Sequence, residues 1–301
     1  MTRLLNKIPT ITKKTLNCIV KTFILRALTG LVYVLLLVGC TVFSPFTAYM
    51  FYAAVAMACT WEFCRLMNEH YGATINTPIV SFTSLLLVSS CWLMRIGQAD
   101  GIDLLLFAGV SLIFLLVFEL YHEAEDPLRN WTLSFAAVLY TALPFGLLPF
   151  IAVNYDAYEG HNLYEWIYPL ALFVFLWAND TGAYLVGSLL GRYVPYKLFP
   201  RISPHKSWVG SVGGGLLTLA AAYVVACLRP AELCVWQWLV VGLVVVFFGT
   251  WGDLVESLLK RQLGIKDSGH VLPGHGGFLD RFDSALLAIP AAVICIMYLL
   301  K

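Results

Sequence analysis

The chain has 301 residues, of which 60% are hydrophobic and only 12% charged, with a mean hydropathy of +0.79. Soluble globular domains are nearer half apolar, so that class is excluded. The net charge of +1 carries little information by itself, and no nucleic-acid partner is expected.

Residues 1–23 form a polar, basic segment with Arg3, Lys7, Lys13, Lys14 and Lys21. Apolar runs of bilayer-spanning length then recur to the end of the chain. They predict spans at 24–43, 46–66, 76–95, 102–120, 131–151, 166–190, 208–228, 236–258 and 284–300. Pro144 and Pro149 are expected to kink the fifth, which a bundle tolerates when neighbours satisfy the freed backbone groups. The expected fold is all-α, a polytopic integral membrane protein with about nine transmembrane helices. It divides into the basic segment 1–23, a scaffold-like half 24–151 and a polar-decorated half 152–301.

With the N-terminus in the cytoplasm, 16 of the 19 Lys and Arg residues fall inside, against Arg95, Arg229 and Lys301 outside. The positive-inside rule selects that orientation. The expected outer loop 152–165, with Glu159, holds no Lys or Arg. Leu37-Val38-Gly39-Cys40 resembles a bacterial lipoprotein cleavage site. The basic region before it is long for a signal peptide, so the first span is expected to stay uncleaved. Eight cysteines show no metal-ligand spacing. Cys227 and Cys234 flank one short loop, but the spacing is scattered rather than that of a disulfide framework. Ala183, Gly187, Gly191, Gly210 and Gly214 recur at helical spacing and read as sites of close helix packing.

Charge is concentrated near the end. Asp253, Glu256 and Lys260 fall at i, i+3 and i+7, one face of a helix. Arg261, Lys266 and Asp267 follow, and Asp280 and Asp283 are spaced i, i+3 next to Arg281. Between them lies Pro273-Gly274-His275-Gly276-Gly277, a turn whose glycines let backbone N–H groups approach an oxyanion. Carboxylates suited to a divalent cation, cations suited to phosphate and a glycine loop make a kit for phosphate chemistry. Asp180, beside Asn179, lies within the sixth span. A carboxylate there costs about 2.5–3.5 kcal/mol on insertion scales, so it is expected to face a cavity, a partner or a metal. Ser203-Pro204 reads as a helix start before the seventh span, with Lys206 in the first turn. Topology alone brings all these segments to the cytoplasmic side.

Ser257-Leu-Leu-Lys260-Arg261, Lys266-Asp267 and His275-Gly-Gly-Phe-Leu-Asp280-Arg-Phe-Asp283 resemble the phosphatidate cytidylyltransferase family in order and spacing. Trp177-Ala-Asn-Asp-Thr-Gly-Ala-Tyr184 and Ser203-Pro-His-Lys-Ser-Trp208 also resemble family segments. The resemblance covers roughly residues 165–290, and the first half resembles the family only in being hydrophobic. It implies transfer of a cytidylyl group from CTP to phosphatidic acid at the inner membrane of a bacterium, with Mg²⁺, and a second cation is plausible. On that reading Asp253 and Asp280 rank first as metal ligands, with Asp283 and Asp180 next. Asn179, Ser203, Lys206, Lys260, Arg261, Lys266, Asp267, Gly276, Gly277 and Arg281 would hold substrate, and His275 is either a phosphate donor or a proton shuttle. A homodimer is left open. The sequence departs from the family at His205, where a second Lys is usual, and near Val209, where an acid is. A polyprenol kinase would use similar acids, and a cation-coupled transporter would also carry intramembrane Asp.

Overall fold

The computed structural model describes residues 13–98, 100–156, 161–194, 196–269 and 276–300. Residues 1–12 of the basic segment, Glu159, Pro273-Gly274-His275 and Lys301 lie outside the described residues. The chain is a bundle of helices: α1 (Lys13–Phe43), α2 (Pro45–His70), α3 (Thr77–Arg95), α4 (Asp100–His122) and α5 (Pro127–Ala137) come first. A π-helical turn at Val138–Ala142 then leads into the short α6 (Leu143–Leu147) and α7 (Pro149–Ala152). After a hairpin of β1 (Val153–Asp156) and β2 (His161–Tyr164) come α8 (Ile167–Leu190), a second hairpin of β3 (Lys197–Phe199) and β4 (Ser203–Ser207), α9 (Trp208–Leu228), α10 (Val235–Gln262) and α11 (Leu279–Leu299).

Among the described residues, seven helices are long and apolar enough to cross a membrane: α3, α4, the continuous stretch Pro127–Ala152, α8, α9, α10 and α11. The sequence predicts nine spans. The apolar part of α1, Ala27–Phe43, is shorter than the rest, and the Tyr, Thr and charged residues of α2 lower its mean hydropathy. The fifth span is divided into α5, the π-helical turn, α6 and α7, with Pro144 in the first turn of α6 and Pro149 starting α7. Each proline lacks an N–H and sits in a first turn, where none is needed. Cys227 and Cys234 carry free thiols.

Two starts differ from expectation. Ser203-Pro204 lies in strand β4, and the cap of α9 is Ser207, whose Oγ accepts from Gly210 N at 3.1 Å. The helix of the last span begins at Leu279 rather than 284, so Asp280 and Asp283 occupy its first turns.

Aromatic packing ties the two halves of the chain together. The Tyr52 ring of α2 stacks on Phe145 of α6 (6.2 Å) and Phe173 of α8 (6.0 Å), and Phe282 of α11 meets both phenyl rings edge-on. Offset and edge-on pairs of this kind suit the ring quadrupole. Small residues set the closest crossings, as the sequence predicts. A Cβ on Gly214 of α9 would lie 2.6 Å from the Asn179 carbonyl of α8, and one on Gly252 of α10 would lie 2.7 Å from the Asp283 carbonyl of α11. Both contacts adjoin acidic residues, so tight backbone packing seats α9 against α8 beside Asp180 and α10 against α11 at Asp283.

Candidate active site

The charged face predicted on α10 is present. Glu256 is fully buried, and its Oε2 lies 2.9 Å from Lys260 Nζ one turn on. The same ammonium lies 2.8 Å from Asp280 Oδ1, across the loop at the start of α11. Lys260 and Asp280 are only 16% and 6% exposed, so this is a buried acid–base–acid group. Its desolvation cost is repaid only if every member stays paired. Asp280 Oδ2 accepts from Ser268 N and Gly277 N, both at 2.9 Å. One carboxylate therefore clasps both ends of the loop between α10 and α11.

A second carboxylate holds that loop from behind. Glu62, buried on α2, accepts from Ser268 Oγ at 2.8 Å and from Leu279 N at 3.0 Å. The N-terminus of α11, with its free N–H groups and positive dipole end, thus rests on two acids. Gly276 has φ +82, in the left-handed region, and a Cβ on Gly277 would collide with Glu62 Oε1. The glycines here bring the backbone onto two carboxylates rather than leaving it open.

Asp253 has other partners than Glu256 and Lys260. Its Oδ2 lies 2.5 Å from Lys206 Nζ of β4, and its Oδ1 accepts from Ser257 Oγ at 3.2 Å. Lys206 and Asp253 are both partly open, at 24% and 32%. Asp253 stands at the junction of two cavities, and Lys206 lines the larger of them. One, of about 390 Å³, is lined by Asp180, Asp253, Asp280, Asp283 and Arg281 together with Tyr33 and Trp177. The other, of about 610 Å³, is lined by Asn179, Asp180, His205, Lys206, Ser207 and Asp253 among others, beside the N-terminus of α9. Asp180, Asp253 and Ser284 belong to both.

All four acids considered as metal ligands thus line one cavity, brought there by α8, α10 and α11. Among the described residues, no group of three His, Cys, Asp or Glu side chains forms a ready metal cage. Asp180, Asp253 and Asp283 are hard oxygen donors of the kind a Mg²⁺ accepts, and Mg²⁺ takes few protein carboxylates and completes its shell from phosphate and water. Asp280 is less free, since Lys260 and two N–H groups already engage it. Ser203, Arg261, Lys266 and Asp267 line neither cavity. Arg261 Nε donates to Ile202 O at 3.4 Å, and Lys266 and Asp267 are exposed on the loop.

A model described as the cytidylyltransferase family matches residues 24–299. This chain belongs to the cytidylyltransferase family. It is 32% identical over 266 residues to a phosphatidate cytidylyltransferase of Staphylococcus haemolyticus, covering 88% of this chain and 95% of that protein. It is also 32% identical over 262 residues to one of Haemophilus influenzae, covering 82% and 89%. With one of Staphylococcus aureus strain COL the identity is 46% over 123 residues, or 41% of this chain and 46% of that one. Family membership reaches well into the first half of the chain, where hydrophobicity alone had been legible.

The segments that carry the resemblance do not include Glu62, and it is not among the residues expected at the site. Its signal was there to find. Trp61-Glu62-Phe63 places a carboxylate in an otherwise apolar run, and the insertion cost that singles out Asp180 applies equally to Glu62.

Proposed function

We propose that this chain is a membrane-embedded nucleotidyltransferase that transfers the cytidylyl group of CTP to phosphatidic acid, releasing pyrophosphate and CDP-diacylglycerol. The observation that carries this reading is the convergence of Asp180, Asp253 and Asp283, from three helices, with Lys206 and Arg281 where two cavities meet. A phosphate oxygen of the lipid attacks the α-phosphorus of CTP in line. The new P–O bond forms as the bond to the bridging oxygen of pyrophosphate breaks. The lipid phosphate is already ionised near neutral pH, so positioning and charge neutralisation do most of the work.

The polar cavity beside α9 suits the nucleotide. Lys206 supplies full charge there, and the α9 N-terminus supplies N–H groups and the positive end of its dipole. Arg281, in the acid-lined cavity, suits the lipid phosphate. Asp180, Asp253 and Asp283 would hold a Mg²⁺, whose chemistry is to neutralise the charge that builds up between the two phosphates. We assign Asp280, Lys260 and Glu256 to positioning, because they engage one another and the loop. The distribution of Lys and Arg supports a cytoplasmic N-terminus and site, where CTP is found.

Purified protein incubated with CTP, Mg²⁺ and phosphatidate should yield a CDP-lipid and pyrophosphate in equal amounts. Product from a polyprenol in place of phosphatidate, with none from phosphatidate, would replace this reading with the kinase.

A further inference from the structure

We propose that the groove between α1 and α2 is the acyl-chain subsite of the lipid substrate; this rests on the reading of phosphatidate given above. An apolar cavity of about 270 Å³ is walled by Val32 and Leu36 of α1, Phe51 and Val55 of α2, and Phe282 of α11. It shares Thr29 and Tyr33 with the acid-lined cavity. Tyr33 stands at the junction, edge-on to Phe282 at 5.6 Å on one side and to Trp177 at 6.3 Å on the other.

The two cavities therefore adjoin at Thr29 and Tyr33, and the chemistry changes from one to the other. One end offers Arg281 and four aspartates, and the other offers almost only carbon. A ligand with an ionised phosphate joined to a long alkyl chain matches that sequence of surfaces, and a nucleotide does not. The groove also opens sideways. Val32 and Leu36 are 47% and 53% exposed, on an apolar helix face that the bundle leaves uncovered, so an alkyl chain can enter from the side. The larger apolar cavity of about 480 Å³ beside Trp61 and Phe82 touches Glu62 but shares no residue with the acid-lined cavity. It borders the groove at Phe278 but touches neither Arg281 nor any of the four aspartates.

The test compares dipalmitoyl with dihexanoyl phosphatidate. Val32→Trp and Leu36→Trp fill the groove, and Leu35→Trp, on the same helix but outside the lining, is the control. The groove variants should lower kcat/KM for the long-chain lipid by about tenfold relative to the short-chain one, the loss of roughly two buried methylenes. KM for CTP and the Leu35→Trp ratio should stay at parent values. A parent-like ratio in both groove variants would overturn the subsite. Because a bulky side chain can disturb α1, the unmodified protein supplies a second readout. A phosphatidate with a photoactivatable group in its acyl chain should crosslink to residues 28–36 and 51–55, and excess phosphatidate but not phosphatidylcholine should suppress this. Adducts confined to other segments, or suppressed equally by both lipids, would overturn the proposal. Failure of the unmodified protein to convert either phosphatidate would instead remove the substrate reading on which the proposal rests.

Discussion

Ser268 Oγ donates a 2.8 Å hydrogen bond to Glu62 Oε1, joining residues 206 positions apart in the chain. Through this bond and the one from Leu279 N, a helix of the first half holds the loop that carries the family's glycines. Glu62→Met keeps roughly the size but removes both acceptors, so the buried Leu279 N–H and the Ser268 hydroxyl lose their partner. A buried group left unsatisfied costs about 1–3 kcal/mol. The variant should melt at lower temperature, and the amides of Gly277 and Leu279 should exchange faster with solvent. Ser268→Ala removes one bond only and should show the smaller effect. Parent-like exchange in both variants would mean that Glu62 does not hold the loop.

Lys260 is flanked by Glu256 and Asp280 at 2.9 and 2.8 Å. Lys260→Met leaves Glu256 buried and unpaired, for which about 3–5 kcal/mol of destabilisation is expected. Adding Glu256→Gln should recover part of that loss, because the orphaned charge is removed with its partner. Thermal melting in detergent checks both. If the double variant is as unstable as the sum of the two single ones, the pair is not coupled as its distances require.

The i, i+3, i+7 spacing made the face of Asp253, Glu256 and Lys260 readable, because the helical period dictates which side chains share a face. What each one meets across that face was not readable. Lys260, expected on phosphate, is engaged by two acids, and Asp253 turns to Lys206 of β4. Those partners depend on how α10 packs against α11 and on a hairpin that local signals misread. Ser203-Pro204 has the composition of a helix start, yet β3 and β4 pair across it and shift the cap to Ser207. Glu62 was legible as a carboxylate in an apolar run, but its role was not. Its partners lie at the far end of the chain, and no periodicity links them.

His205 lines the 610 Å³ cavity proposed to take the nucleotide and is exposed. A Lys is charged at neutral pH, whereas an unperturbed His is mostly neutral. His205→Lys should keep or lower KM for CTP, and His205→Glu should raise it severalfold with kcat less affected. Parent-like kinetics in both variants would place this strand away from the nucleotide.

Topology is checked by thiol labelling in a background in which Cys227 and Cys234 are replaced by Ser. Ala231→Cys, in the loop between α9 and α10, should react with an impermeant reagent added to sealed cells. Lys266→Cys, on the opposite loop, should react only after permeabilisation. Reaction of Lys266→Cys in sealed cells would put the acid cluster on the wrong side for CTP.

Asp253 and Asp280 line the same cavity but have different partners, and their variants should differ accordingly. Asp253→Asn should lose at least about two orders of magnitude in kcat, as removal of a charge-stabilising group typically does, and should need more Mg²⁺ for what remains. Asp280→Asn should also lose turnover, with a lower melting temperature and an unchanged Mg²⁺ midpoint, because it would release the loop and Lys260. An unaltered Mg²⁺ midpoint in Asp253→Asn would remove that residue from the cation site.

The central claim is cytidylyl transfer to a lipid at the junction of the two cavities, and CTP labelled at one phosphorus at a time tests it most directly. With phosphatidate present, label at the α-phosphorus should pass into the lipid phase and label at the γ-phosphorus should emerge only in pyrophosphate. Asp253→Asn should abolish nearly all of the lipid label. Appearance of the γ-label in the lipid, or of α-label at the parent rate in Asp253→Asn, would contradict the account.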